Sequence, residues 1–377
     1  MFIKNIKIVT LNKVIDNGFI EIENGIIKNI YDYPFNLNEP AIDGKNNIAF
    51  PGFIDVHIHG SMGVDFMNST KDEMVKGANS LYQEGVTSFL VTTLTSDTDS
   101  LVKVSKTVVE AKKEAKNIFG IHLEGPYISL KYIGAQNPNY VRNADINELK
   151  LLIEKSNNNI KYITLAPEKE NAMDFIEYCK NQGIVTSAGH SDATFEEVEE
   201  AIKHGLTNTT HTHNAMSPHH HRRPGVVTAA MYFDELYTEL ICDFIHVSKN
   251  TVKTFYKIVG PDRFMIITDA LSAKHSDLDH IKLFGLDCEK KNGALYLTTG
   301  PLAGSLLSMD QGMRNLKEAT NCSLIDLMKA SSYNQSKSLH LTDRGLLEKG
   351  RIADIVLMDN NLKVKEVYKL GELVYHD

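Results

Sequence analysis

The sequence has no tryptophan, which excludes nothing by itself, and only four cysteines, which excludes more. Cys179, Cys242, Cys288 and Cys322 are far apart and form no C-x-x-C pair, so neither a disulfide framework nor a zinc ribbon fits. No stretch approaches the roughly 18 consecutive apolar residues that a membrane-spanning helix needs. Residues 1–8 alternate apolar and polar side chains and lack the apolar core of a signal peptide. Basic charge is not in excess: 40 Lys and Arg against 48 Asp and Glu leave a net charge of −8. That balance argues against a nucleic-acid or anionic-membrane partner, and it leaves any anionic small substrate to a few focused cations. Together these absences predict a reduced, cytoplasmic protein.

Hydrophobic content of 42% and charge of 23% are those of a folded chain. A length of 377 residues suits one large domain plus a small one, since α/β barrels often run to about 250 residues. Residues 19–23 alternate, Asn24-Gly25 supplies a type I′ turn, and residues 26–30 return. The C-terminus looks alike, with an apolar run over 352–358, a hairpin signal at Gly371 and a last strand ending at Tyr375. Neither end can bury a core alone. Residues 1–48 and 345–377 are therefore expected to pair into one small β-sandwich domain.

The middle changes character. Apolar runs at 53–57, 88–92, 119–123, 162–165, 185–188, 208–211, 239–244 and 264–267 alternate with amphipathic stretches such as 72–83, 101–116, 172–181 and 195–204. Eight strands with intervening helices predict the α/β class and a (β/α)8 TIM-like barrel over residues 49–344. Residues 285–299, with a second Asn-Gly turn at Asn292-Gly293, read as an inserted hairpin.

Residues able to bind metal fall at the ends of these runs. His57 and His59 close the first, Glu124 the third and His190 the fifth; His211 and His213 follow the sixth, His246 the seventh and Asp269 the eighth. In a barrel of this kind the C-terminal strand ends share one face, where active sites are built. Imidazoles and carboxylates gathered there suit a divalent metal such as zinc, iron or manganese. Two His one residue apart point to the same side of a strand, although an isolated H-x-H pair is often just loop polarity.

The run Pro51-Gly52-Phe53-Ile54-Asp55-Val56-His57-Ile58-His59-Gly60 resembles the opening motif of the metal-dependent amidohydrolase superfamily. His122-Leu123-Glu124-Gly125-Pro126, Gly134-Ala135-Gln136, Ala188-Gly189-His190-Ser191-Asp192, His211-Thr212-His213-Asn214-Ala215-Met216, Thr268-Asp269-Ala270 and Leu302-Ala303-Gly304-Ser305 resemble its N-acetylglucosamine-6-phosphate deacetylase branch, in order. The resemblance implies a metal-assisted deacetylase of a phosphorylated amino sugar. Glu124, His190 and His211 would bind the metal, zinc or iron, as one ion or as two if His57 and His59 take part. Cyclic-amidase relatives use a carboxylated Lys at the end of strand 4, whereas Lys161 here stands at the start of that strand. Asp269, which could also be a helix N-cap, becomes the acid/base, because an activated water needs a proton acceptor.

The same resemblance carries Ala135, Gln136, Asn214, Ala215, His246, Leu302, Ala303 and Gly304 to the substrate. Arg222, in the basic run Pro218-His219-His220-His221-Arg222-Arg223, would meet the phosphate from a neighbouring subunit, which implies a homodimer. His122 and His213 are expected to support or pack, and His219 to His221 receive no role. Two rivals stand beside this reading: a D-aminoacylase-like or cyclic-amide hydrolase, and a barrel that keeps its metal only as a structural centre.

Overall fold

The computed structural model describes residues 1–32, 41–283, 286–300 and 302–377. Eight strands form the central sheet: β1 (Phe53–Ile58), β2 (Val86–Thr92), β3 (Ile118–Glu124), β4 (Ile160–Leu165), β5 (Val185–Ala188), β6 (Asn208–Thr209), β7 (Tyr237–Ile241) and β8 (Phe264–Ile267). They pair in chain order and all in parallel. Every residue of β1 and β2 is buried, as expected of strands covered on both faces.

The ring closes just beyond the strand ends. The Asp269 N–H donates to the His57 carbonyl at 2.8 Å, and the His59 N–H donates to the Ala270 carbonyl at 2.9 Å. Below them the Thr268 hydroxyl donates to buried Asp55 at 2.5 Å. These bonds join the ends of β8 and β1, and so draw His57, His59 and Asp269 into one place.

The helices at 172–181 and 195–204 form as read. The expected helix at 72–83 is an α-helix over Lys71–Ser80, opened by a Thr70/Glu73 capping box, and then a 3-10 turn over Leu81–Glu84. The one at 101–116 runs instead over Thr98–Ala111, because Asp97 caps it three residues earlier. The sixth strand stops at Thr209 rather than 211, since His211 turns out of the sheet at φ 31°.

The chain termini build one mixed eight-stranded sheet. Ile48–Pro51 pairs in parallel with Phe2–Val9 on one side and antiparallel with Ile355–Met358 on the other. Asn24 and Gly25 take φ of 52° and 76°, the left-handed pair that a type I′ turn requires. A bridge between Ile26 and Ile352 brings the N-terminal hairpin over the C-terminal arm, so one folded sheet encloses an apolar cluster that includes Ile3, Ile20, Ala49 and Ile355. Lys369 ties this unit to the barrel: its buried ammonium donates to Asp354 at 2.7 Å and to the Thr87 carbonyl of β2 at 2.9 Å.

The insertion is larger than one hairpin. Strands His280–Leu283, Leu286–Lys291, Ala294–Leu297 and Leu302–Ser305 form an antiparallel sheet, turning at Asn292-Gly293. Residue 285 of the expected hairpin lies outside the described residues, as do residues 33–40 of the expected N-terminal unit. A bridge from Ala270 to Ser305 anchors the last strand at the barrel mouth. Among the described residues no disulfide joins the four buried cysteines, and no helix is long and apolar enough to cross a membrane.

Candidate active site

Glu124 is the last residue of β3, His57 lies within β1, and His190, His211 and Asp269 each stand two residues past a strand. Those three adopt φ of 47°, 31° and 47°, a left-handed conformation that costs a non-glycine residue energy and clusters at functional sites. The His190 carbonyl is fixed by the Ser129 N–H at 2.8 Å. Gly134, at φ 59°, passes so close to this ring that a Cβ there would sit 3.0 Å from His190 Cε1.

The donor atoms converge in two groups. Glu124 Oε1 lies 3.1 Å from Nε2 of both His190 and His211, and those nitrogens lie 3.1 Å from each other. His57 Nε2 is 3.2 Å from His59 Nε2 and 3.3 Å from both Glu124 Oε1 and Asp269 Oδ1. His59 Nε2 is 3.1 Å from Asp269 Oδ1 and 3.4 Å from Glu124 Oε2. Ligands about 2.0 Å from a tetrahedral zinc stand about 3.3 Å apart, so these spacings are those of a coordination shell. Glu124, His190 and His211 could hold one ion and His57, His59 and Asp269 a second, with Glu124 between them.

The surroundings favour ligation. His190 Nδ1–H donates to the Tyr132 carbonyl at 2.9 Å, which leaves the Nε2 lone pair facing the pocket. Burial would raise the Glu124 pKa, but the His57, His190 and His211 rings hold it well below the usual carboxylate range. Burial opposes charge on Asp269 too, yet His57 and His59 bring it down to about 2. Burial likewise opposes the His57 imidazolium, and Asp269 and Glu124 overcome it, so its pKa stands well above the ordinary value.

A cavity of about 220 Å³ opens over these atoms. Its walls include His59, Glu124, His190, His211 and Asp269, together with Ala135, Gln136, Asn214, Ala215, His246, Leu302, Ala303 and Gly304. His57 lies fully buried beneath. Gln136 uses its amide on the site itself, donating to Glu124 Oε2 at 2.6 Å and accepting from the Thr95 N–H at 2.8 Å. His246 Nδ1 is 2.6 Å from Asp243 Oδ2, so its Nε2 edge is the one free for a ligand. Arg222 is not brought here. It is exposed, meets His221 Nε2 at 2.9 Å, and lines a separate surface pocket with Lys131, Asp192 and Arg223.

His122 has both nitrogens engaged, Nδ1 with the Val56 carbonyl at 2.9 Å and Nε2 with the Thr164 hydroxyl at 2.7 Å. Burial and the nearby His57 keep its pKa well below the ordinary value, and it braces the barrel interior. His213 is packed edge-on against Phe255, and burial lowers its pKa to about 4. Two further carboxylates, which the sequence motifs do not single out, support the site. Asp243 sets the His246 ring, and Glu239 lies buried beneath His57. The signal for Glu239 was a lone carboxylate inside an apolar strand, a placement that demands partners.

The Amidohydrolase family model matches residues 48–374. An N-acetylglucosamine-6-phosphate deacetylase of Lysinibacillus sphaericus is 36% identical over 376 residues, covering 99% of this chain and 97% of its own. The Bacillus subtilis (strain 168) enzyme of the same name is 35% identical, with 97% and 94% covered. Among solved structures, the N-acetylglucosamine-6-phosphate deacetylase of Thermotoga maritima superposes with a TM-score of 0.90 at 34% identity, over 100% of both chains.

Proposed function

Because the chain belongs to the amidohydrolase family, and within it to the N-acetylglucosamine-6-phosphate deacetylases, we propose that it hydrolyses N-acetylglucosamine 6-phosphate to glucosamine 6-phosphate and acetate, in amino-sugar metabolism. The observation that carries this reading is the meeting of Glu124, His190 and His211 at one wall of a cavity, with donor atoms 3.1 Å apart. Three protein ligands facing open space suit a catalytic ion, whereas a structural one is usually closed by four. That difference disfavours a purely structural metal.

Glu124, His190 and His211 would hold the first divalent ion, zinc or iron, and His57 and His59 a second that shares Glu124. A bound ion supplies Lewis acidity, bringing the pKa of water down to about 7. The chain's residues do the rest. Asp269 accepts a proton from the water as it adds to the acetamide carbonyl carbon. The C–N bond then breaks, and Asp269 returns that proton to the departing amine nitrogen; the free amine and acetic acid result, and the acid loses the water's second proton to become acetate. The lowered pKa means that the carboxylate enters the reaction ionised. His246, aimed by Asp243, and Asn214 orient the sugar, and their contribution is positioning.

Arg222 would clamp the phosphate from a neighbouring subunit of a homodimer, because in its own chain it faces a different pocket. A cytoplasmic enzyme acting on a small phosphorylated sugar fits the acidic composition with its local basic loop.

Acetate release from N-acetylglucosamine with and without the 6-phosphate, with metal analysis on the same preparation, tests the proposal. Strong preference for the phosphorylated sugar is expected. Metal-loaded protein that leaves it untouched contradicts the reading.

A further inference from the structure

Glu239 sits in the middle of β7, fully buried beneath the site. A carboxylate there costs several kcal/mol unless its oxygens are occupied, so its partners say what keeps it. Oε1 accepts the Tyr162 hydroxyl of β4. Oε2 faces upward and is shared: it lies 3.4 Å from His57 Nδ1 and accepts the backbone N–H of His211 at 3.3 Å. His57 belongs to one candidate metal group and His211 to the other.

We propose that Glu239 is a positioning residue that serves both metal groups at once, through the ring of His57 and the main chain of His211. Two physical consequences follow from that geometry. A carboxylate only accepts, so Glu239 can hold a proton at His57 Nδ1, which makes Nε2, facing Glu124 and Asp269, the nitrogen that an ion would take once the proton there is displaced. The same oxygen restrains His211 at its strained φ of 31°, the conformation that turns its ring toward Glu124. Tyr162 completes the device from below by fixing the carboxylate plane. The inference rests on the proposed metal centre but adds a residue outside the ligand set.

The test is a zinc titration of the full-length protein against a competing chelator, alongside imidazole 15N spectra of the zinc-loaded protein. Glu239→Met removes the acceptor, and the free zinc needed to load the pocket is expected to rise about 10- to 100-fold. Glu239→Gln, whose amide oxygen can still accept from both donors, is expected to recover much of that loss. Tyr162→Phe leaves every ligand untouched and is expected to shift loading in the same direction by less, which covers the case in which Glu239→Met does not fold. Wild-type spectra should show His57 protonated at Nδ1 and ligated through Nε2. A purely structural Glu239 would lower melting temperature without moving zinc loading or the His57 signature. Unchanged loading in folded Glu239→Met, or in Tyr162→Phe when Glu239→Met does not fold, overturns the inference. A wild-type protein that takes up no zinc contradicts the metal reading itself.

Discussion

The backbone N–H of Asp269 donates to the carbonyl of His57 at 2.8 Å, and the Oδ1 of the same Asp269 stands 3.3 Å from the Nε2 of the same His57. One pair of residues therefore both closes the barrel between its last and first strands and sets the proposed acid/base carboxylate against a proposed metal-ligand ring. Closure and the proposed chemistry share the same two residues, which leaves little freedom in where Asp269 can be.

Replacing Asp269 by Asn keeps the shape and the backbone bond while removing the proton acceptor. Turnover should fall by about 10²- to 10⁴-fold. Zinc content should stay close to wild type at the Glu124 group. Measuring kcat and bound metal on one preparation checks both, and near-normal kcat would remove Asp269 from the reaction.

Arg222→Ala should act on binding. KM for the phosphorylated sugar is expected to rise by at least about tenfold with kcat little changed, since a charge-assisted contact is worth about 1.5–3 kcal/mol. The unphosphorylated sugar should show no such rise. Equal effects on both substrates would exclude a phosphate contact.

Metal binding should depend on pH in a definite direction. In metal-free protein the pKa of His57 is held above its ordinary value, after burial is overcome, by Asp269 and Glu124, so the ring carries a proton at neutral pH. An ion using Nε2 must displace it. Apparent affinity for that ion should therefore climb about tenfold per pH unit until the raised pKa is passed, with one proton released per ion bound. Calorimetry in buffers of different ionisation enthalpy reads that proton, and affinity that falls with pH would contradict the arrangement.

Much of this was legible in the chain. The barrel strands are buried on both faces and so read as apolar runs, and the His57/His59 pair and Glu124 fall at their ends. What could not be read depends on pairings made only in three dimensions. Glu239 lies in sequence 182 residues from His57 and is silent without the barrel around it. The short β6 follows from the left-handed turn at His211, which residue preference does not announce in a non-glycine. The insertion reads as one hairpin because Asn292-Gly293 is a strong local signal, whereas its outer strands are recruited by flanking contacts. Arg222 carries the right charge, yet its own chain turns it toward another pocket.

A support away from the chemistry gives a stability prediction. Glu84 and Lys274 form a fully buried pair at 2.6 Å, and Glu84 also accepts the Met309 N–H at 2.7 Å, tying the loop after β8 to the helix Met309–Thr320. Burial opposes the Glu84 charge, but Lys274 and His275 overcome it and hold its pKa below the usual value. Its contribution is thus present above the ordinary carboxylate pKa and is lost as pH falls through the lowered one. Glu84→Gln, which strands the Lys274 charge, should cost about 3–5 kcal/mol near neutral pH. Melting temperatures of wild type and variant should converge in acid, and a constant difference across pH would refute this account.

The most direct test of the central claim is anomalous diffraction at the zinc edge from crystals of the zinc-loaded protein. The account predicts a peak between Glu124 Oε1, His190 Nε2 and His211 Nε2, with ligand distances of about 2.0–2.2 Å. A zinc-loaded crystal with its peak elsewhere, or with none at those three side chains, would contradict it.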